Sequence, residues 1–210
     1  MLWQATLETL TMVGISTAVA ALCGLPLGIC LTITDKHHIL EQPYLNKLLG
    51  SIVNIGRSVP FIILMVAIIP FTRRIAGTSI GTTAAIVPLT VAAIPFVARL
   101  VETAMKEIDP GVIEAAESMG ASPPEIISKI LIPEALPSLI LALTLTAVNL
   151  IGYSAMAGAI GGGGLGDLAI RFGYQRFRAD IMLQTVIILV VLVQGIQMLG
   201  DKIAQRLYNR

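Results

Sequence analysis

The fold is decided by a stretch without charged residues, Ile181-Met-Leu-Gln-Thr-Val-Ile-Ile-Leu-Val-Val-Leu-Val-Gln-Gly-Ile-Gln-Met-Leu-Gly200. A helix of about 20 residues rises about 30 Å, which is the thickness of the hydrocarbon core of a bilayer. An exposed helix of a soluble protein would carry charged residues on one face. This stretch therefore predicts a membrane-spanning helix.

Composition extends this prediction to the whole chain. Of its 210 residues, 55% are hydrophobic and 13% are charged, whereas soluble domains carry about 25% charged residues. Much of the surface must therefore face lipid. The net charge of +1, without a basic tail, gives no argument for nucleic acid as a partner. We predict an all-α integral membrane protein embedded in a lipid bilayer.

Four further charge-poor stretches bring the predicted number of spans to five. One of them is short, and it reaches spanning length only when it is extended back to Leu48 across Arg57. The glycine-rich segment from Gly158 to Gly166 is predicted to leave the fourth span as a flexible loop. The predicted spans are residues 9–34, 48–72, 77–99, 137–159 and 181–200, in a transmembrane domain of residues 6–200 followed by a cytoplasmic tail, residues 201–210.

The distribution of lysine and arginine predicts the orientation. With the N-terminus outside, nine of these residues fall on the cytoplasmic side and five fall outside, so the positive-inside rule favours N-out and C-in. Arg73 and Arg74 oppose this orientation. The nine are Lys36, Lys47, Arg57, Arg99, Lys106, Lys129, Lys202, Arg206 and Arg210; the five are Arg73, Arg74, Arg171, Arg176 and Arg178.

A long acidic connection lies between the third and fourth spans. Seven of the thirteen acidic residues fall between Arg99 and Glu134, and long loops in compact domains are functional or disordered. An amphipathic elbow on the lipid headgroups is one interpretation. Acidic side chains are disfavoured beside an anionic cytoplasmic leaflet, so the charges favour a protein partner.

Capping signals divide this connection into two short helices. Asp109-Pro110 is an N-cap followed by a proline at the first helical position, and the helix ends at Met119, before Gly120. Ser122-Pro-Pro-Glu125 is a capping box that begins the second helix. Pro133 and Pro137 are predicted to bend the chain into the fourth span. We therefore predict two rigid helices at a sharp angle.

The same connection resembles the E-A-A-x3-G-x9-I-x-L-P motif of the permeases of type I ABC importers. Glu114-Ala-Ala116, Gly120 and Ile130-Leu-Ile-Pro133 match it in spacing, with Ile132 where the motif has leucine. The resemblance implies that the first short helix is a coupling helix, within a coupling loop of residues 103–134, that seats in a cleft of a separate ATPase. The implied coupling residues are Glu114, Ala115, Ala116, Gly120, Ile130 and Pro133.

Other segments resemble the family of methionine importer permeases. That resemblance implies five spans per subunit, a homodimer, two ATPase subunits that hold ATP and Mg²⁺, an external methionine-binding lipoprotein, and a bacterial cytoplasmic membrane. This chain is expected to bind no cofactor itself. The matching segments are residues 54–64, 69–72, 77–81, 85–90, 152–158 and 163–166.

The sequence contains no Gly-x-x-x-x-Gly-Lys-[Ser/Thr] phosphate cradle, so any ATP hydrolysis must occur on another polypeptide. We predict a transport subunit, not an enzyme, that translocates methionine (D-, L- and analogues). A permease for another polar amino acid or small metabolite is one alternative. A second alternative is a stand-alone channel or secondary transporter. A secondary transporter is expected to contain internal repeats, and none is evident in this sequence.

Five residues are candidates for a translocation pathway or gate. Met156 is a flexible apolar side chain among small residues beside a glycine hinge, and two copies in a homodimer are a hypothetical outer gate; ordinary packing is the alternative. Tyr153 and Ser154 share its segment. Arg57, just before Pro60, is a charge within a predicted span, where it either serves the pathway or snorkels to the headgroups.

The pair His37-His38 is the one place where metal ligands adjoin in sequence. No further ligand lies near it in the sequence, and a metal site needs three or four. A solvated loop is therefore the favoured interpretation, and we predict no metal.

Overall fold

The structure is a computed structural model that describes residues 1–36 and 38–208. Over these residues it is all helical, which confirms the predicted fold class. Two π-helical turns, Ile127–Leu131 and Ala169–Tyr174, join α7 to α8 and extend α9. The α-helices in this described part are α1 Leu2–Ile33, α2 Pro43–Ser58, α3 Phe61–Ala67, α4 Ile69–Ala76, α5 Thr82–Lys106, α6 Pro110–Ser118, α7 Pro123–Ile126, α8 Ile132–Gly158, α9 Gly164–Leu168 and α10 Ala179–Tyr208.

Within residues 1–36 and 38–208, four helical stretches are long and apolar enough to cross a membrane. A fifth candidate is α2 together with α3, which pass the same test as a pair but are bent by 98°. Counting this pair as one broken span gives the five spans that the sequence predicts. The four unbroken ones are Leu2–Ile33, Thr82–Lys106, Pro123–Gly158 and Ala179–Tyr208.

The break between α2 and α3 corrects the prediction of one span over residues 48–72. Val59 is extended (φ −83°, ψ 122°), and α3 begins directly after Pro60. The proline ring disfavours a helical conformation for the preceding residue, and proline has no N–H to donate. The chain therefore turns sharply here and does not merely kink.

Close contact between α1 and α5 forms the centre of the bundle. A Cβ atom added to Gly24 would lie 2.7 Å from Val97 Cβ, and one added to Gly28 would lie 2.5 Å from Val101 Cβ. Only glycine leaves room for the valines at these two positions. Small residues of this kind allow membrane helices to approach closely, and van der Waals packing then holds them together.

The second helix of the coupling loop continues into the fourth span without a break at Pro133 or Pro137. Residues Pro123–Gly158 form one candidate span of 36 residues. In the π turn, the Ile132 N–H donates to the Ile127 carbonyl, five residues back. This wider turn offers room for the ring of Pro133, which in a regular helix would clash with the carbonyl four residues earlier.

The glycine-rich segment is packed tightly, which corrects the prediction of a flexible loop. Gly164, Leu165, Gly166 and Leu168 are buried. The Gly164 N–H donates to Glu8 Oε2 at 2.8 Å, and the Leu165 N–H donates to the hydroxyl of Thr9 at 2.9 Å. This segment therefore holds the N-terminal end of α1 in place.

The two ends of the described chain lie at opposite ends of the bundle. The start of α1 contacts the glycine-rich segment, whereas the last turns of α10 line a cavity with Pro137, near the start of α8. The predicted tail of residues 201–210 is helical as far as Tyr208, because α10 continues to that residue.

Candidate functional site

The candidate coupling helix, α6, is fixed at both ends. The Asp109 carboxylate accepts the Gly111 N–H at 2.8 Å, and Pro110 occupies the first turn. After Ser118 the chain reverses through Gly120, whose φ of +79° is in the left-handed region that glycine adopts without strain. The structure therefore places the predicted helix within one residue of its predicted end.

The motif residues divide between two faces of this region. Glu114, Ala115 and Gly120 are exposed, as a contact with another protein requires. Ala116 is 1% exposed and belongs to the hydrophobic core. Ala116 therefore packs against its own chain, and its part in an ATPase contact stays a prediction.

Two motif residues lie on the helix that follows α6. Ile130 is partly buried against the core, whereas Pro133 is exposed. The predicted capping box that begins this helix is present: the Ser122 N–H and hydroxyl both donate to Glu125 Oε2, at 3.1 and 2.7 Å. Lys129 also contacts Glu125, at 2.9 Å.

Two apolar side chains on α6 and its C-cap were missed by sequence reasoning. Met119 is 81% exposed at the end of the helix, and Val112 is 43% exposed. An apolar residue directly before the C′ glycine of a short acidic helix was the available signal. Together with Glu114 and Ala115 they give α6 an exposed surface of mixed apolar and acidic character.

An ion-pair chain, Asp35–Lys106–Glu102–Arg99, lies at the end of α5, just before α6 in the sequence. Lys106 Nζ lies 2.5 Å from Asp35 and 2.8 Å from Glu102, and Arg99 lies 2.8 Å from the other oxygen of Glu102. The side chain of Glu102 is only 6% exposed. The hydrogen bond from Lys106 holds the pKa of Asp35, in the connection after α1, below its usual 3.8. This chain ties that connection to the end of α5.

The spacing of residues in the sequence could have predicted the ion pairs within α5, but not the pair with Asp35. Arg99–Glu102 and Glu102–Lys106 are spaced three and four residues apart on one helix, where side chains meet. Asp35 comes from a different element and gave no local signal. A cavity of about 430 Å³, lined by His38, Ile113 and other residues, lies between α6 and the connection after α1.

The predicted absence of a metal site rests on His37 and His38, and His37 lies outside the described residues. The His38 ring accepts the Ile39 N–H through Nδ1, at 3.1 Å. Within residues 1–36 and 38–208, no three His, Cys, Asp or Glu side chains are grouped so that they could hold a metal ion.

Two pathway candidates are brought together beside the break in the second span. The rings of Phe61 and Tyr153 are stacked, with centroids 4.7 Å apart and planes 2° apart. Arg57 lines a cavity of about 200 Å³ with both rings and with Phe96. Pro60, at the break, fixes the direction in which α3 leaves α2.

The other two candidates are separated from this cavity lining. Ser154 is buried, and its hydroxyl donates to the Ile151 carbonyl at 2.7 Å, so its polar group is used within its own helix. Its role in the pathway stays a prediction. Met156 is 48% exposed, on a face of α8 that also exposes Leu141 and Leu145.

Known proteins resemble this chain over its whole length. A family profile described as "Binding-protein-dependent transport system inner membrane component" matches residues 24–208. A relative from Vibrio cholerae, "Probable D-methionine transport system permease protein MetI", is 57% identical and covers 100% of this chain and 93% of its own. "Methionine import system permease protein MetP" of Bacillus subtilis is 46% identical, covering 100% and 94%.

A solved structure agrees with these relatives in sequence and in fold. It is described as inward-facing conformations of the MetNI methionine ABC transporter; a chain in it is 49% identical, with a TM-score of 0.96 and coverage of 98% of this chain and 95% of that one. The prediction of an importer permease, made from the motif around Glu114, is confirmed. The chain belongs to the family of inner membrane components of binding-protein-dependent transport systems.

Proposed function

We propose that this chain is the membrane-spanning subunit of an ATP-driven importer of methionine. The observation that carries the proposal is the 57% identity, over the entire chain, to a relative named as a D-methionine transport permease. The exposed surface of α6 supports it, because a subunit without an ATP-binding motif needs a place where an ATPase can act. Uptake of both D- and L-methionine is part of the proposal.

The proposed assembly contains two copies of this chain and two ATPase subunits that hold ATP and Mg²⁺. Each ATPase grips α6 through Glu114, Ala115, Val112 and Met119, which are exposed. Because α6 follows α5 directly in the chain, movement of α6 reaches the end of α5, and the ion-pair chain passes it from there to the connection after α1. An external methionine-binding lipoprotein docks at the opposite end of the bundle.

The proposed orientation puts α6 and the C-terminus in the cytoplasm and the N-terminus outside, in a bacterial cytoplasmic membrane. The positive-inside count supports this orientation, and it does so without Arg57 as well, with eight basic residues inside and five outside. Alternating access follows if closure of the ATPases moves the two copies of α6 and opens the outer end between the subunits. Met156, on the exposed face of α8, is the proposed outer gate of that pathway.

The test is transport by the purified complex. The chain is co-expressed with the ATPase encoded beside it and reconstituted into liposomes with the binding protein inside or outside. We expect uptake of radiolabelled methionine that requires ATP on the α6 side and the binding protein on the other. Uptake without the ATPase indicates a channel or secondary transporter, and ATP-driven uptake of another amino acid but not methionine contradicts the substrate assignment.

A further inference from the structure

Arg57 has no partner within the part of the chain that the structure describes. It makes no hydrogen bond and no ion pair there, and its side chain is exposed. It lines the cavity of about 200 Å³ beside the break in the second span. The described lining of this cavity contains no carboxylate; besides Arg57 it consists of Gly56, Val59, Phe61, Ala92, Phe96 and Tyr153.

The depth of Arg57 argues against a headgroup as its partner. A Cβ atom on the neighbouring Gly56 would lie 3.1 Å from Cγ of Pro95. Pro95 is near the middle of α5, so both ends of that span are about 16–20 Å away at 1.5 Å per residue. No arginine side chain spans that distance, and a charge at this depth requires a partner or a water-filled cavity.

The cavity offers one cationic fork among aromatic rings. A guanidinium binds a carboxylate through two parallel N–H···O bonds, and such charge-assisted pairs are the strongest hydrogen bonds in proteins. Thioether sulfur makes favourable contacts with aromatic rings, and Phe61, Phe96 and Tyr153 supply three such rings. These two chemistries together match an amino acid with a flexible, sulfur-containing apolar side chain.

We propose that Arg57 binds the α-carboxylate of the transported amino acid in this cavity. The inference rests on the proposed import of methionine and adds to it a binding site within the membrane-spanning subunit. Because the described lining offers no carboxylate, a cationic side chain would find no partner there, so the site disfavours amino acids with cationic side chains. Methionine can dissociate from this site because Arg57 alone holds its carboxylate, without a surrounding network of buried ion pairs.

The experiment measures binding without transport. Ala92, which lines the cavity, is replaced by cysteine in a chain that carries Cys23→Ser and Cys30→Ser, and the permease–ATPase complex is purified without the binding protein. The rate at which a charged methanethiosulfonate reagent modifies A92C is measured with L-methionine and with L-methioninol, which lacks the carboxylate. Arg57→Gln, Arg57→Lys and the control Arg74→Gln are compared in this background.

We expect methionine, but not methioninol, to slow the modification of A92C when Arg57 is present. The concentration needed for half-protection should rise at least about 10-fold with Arg57→Gln, since a charge-assisted hydrogen bond is worth about 1.5–3 kcal/mol. The half-protection concentration of Arg57→Lys should lie between those of the Arg57 protein and Arg57→Gln. Lysine keeps the positive charge but cannot form the two parallel hydrogen bonds of a guanidinium. Arg74→Gln, which removes an exposed arginine on α4, should not change protection.

Two results overturn the site: equal protection by methioninol, or unchanged protection by methionine in Arg57→Gln. The proposed site is also overturned if methionine gives no protection of A92C in the chain that retains Arg57. Methionine uptake by the reconstituted transporter is measured in parallel with the same A92C chain. If uptake occurs and protection does not, only the site is lost; if uptake of methionine itself is absent, the proposed function fails.

Discussion

Glu102 illustrates how a buried charge can be tolerated at the end of a spanning helix. One carboxylate oxygen of Glu102 contacts Arg99 and the other contacts Lys106, and Lys106 forms a second ion pair with Asp35. The two acids and two bases balance, so the cluster carries no net charge. Since the two basic side chains remain about two-fifths exposed, water screens them and limits what each pair contributes.

Replacing Glu102 by glutamine should destabilise the protein. The substitution leaves Arg99 without its anion and Lys106 with Asp35 alone, which we expect to lower the free energy of unfolding by about 1–3 kcal/mol. The measurement is the midpoint of thermal unfolding of the purified complex, followed by size-exclusion chromatography of heated samples. Glu107→Gln, an exposed acid one turn later, is the control and should change stability by less than about 0.5 kcal/mol.

At the scale of elements, the packing of α1 on α5 depends on two glycines that face valines. The third glycine of α1 has no such neighbour: a Cβ on Gly14 would have nothing within 4 Å. The same substitution on the same helix should therefore have opposite effects at the two kinds of position.

Gly28→Ala should separate α1 from α5, because the new Cβ would lie 2.5 Å from Val101 Cβ and 2.6 Å from the Ala98 carbonyl oxygen. Overpacking of this kind destabilises by about 1–3 kcal/mol. Gly14→Ala should be neutral or stabilise by up to about 1 kcal/mol, since alanine favours a helix. Thermal unfolding of both variants is the measurement, and equal midpoints would show that this helix pair does not pack as described.

The exposed Met119 is also considered at the scale of elements, because its proposed contact with the ATPase is made by α6 as a whole. Met119→Asp places a charge where an apolar contact is proposed, and we expect it to reduce recovery of the ATPase with the tagged permease about 10-fold or more. Ile80→Asp, an exposed apolar residue at the opposite end of the bundle, is the control and should leave recovery unchanged. Undiminished recovery with Met119→Asp would remove this residue from the contact.

The elements that could be predicted from the sequence are those with local signals. The N-cap at Asp109 and the capping box at Ser122 each involve residues within one turn, so α6 and the start of the next helix were placed correctly. A proline can either kink or break a helix, and packing decides which. The break at Pro60 was therefore not predicted, whereas the helix through Pro133 is continuous.

The candidate site was predictable only in part, for a related reason. The motif identified α6 but not which of its faces is buried, so the burial of Ala116 became evident only from the packing. The contact of Asp35 with Lys106 and the stacking of Phe61 on Tyr153 join residues far apart in sequence. Such contacts have no signature in one sequence without an alignment.

At the scale of the whole molecule, the opposite placement of the two termini can be measured. In a chain with Cys23→Ser and Cys30→Ser, Gln4→Cys should react with a membrane-impermeant maleimide in intact spheroplasts, and Gln205→Cys should react only after permeabilisation. The first lies near the start of α1 and the second near the end of α10. Reaction of both from the same side contradicts the bundle, and a reversed pattern contradicts only the orientation.

The hydrogen bonds from the glycine-rich segment to Glu8 and Thr9 have a consequence for biogenesis. They join residues 156 positions apart, so the start of α1 meets these partners only after the fourth span has been synthesised. Until then the carboxylate of Glu8 lacks the hydrogen bond from the Gly164 N–H. In a chain that ends before Gly164, the start of α1 lacks both contacts, and we expect quality-control proteases to recognise that exposed end.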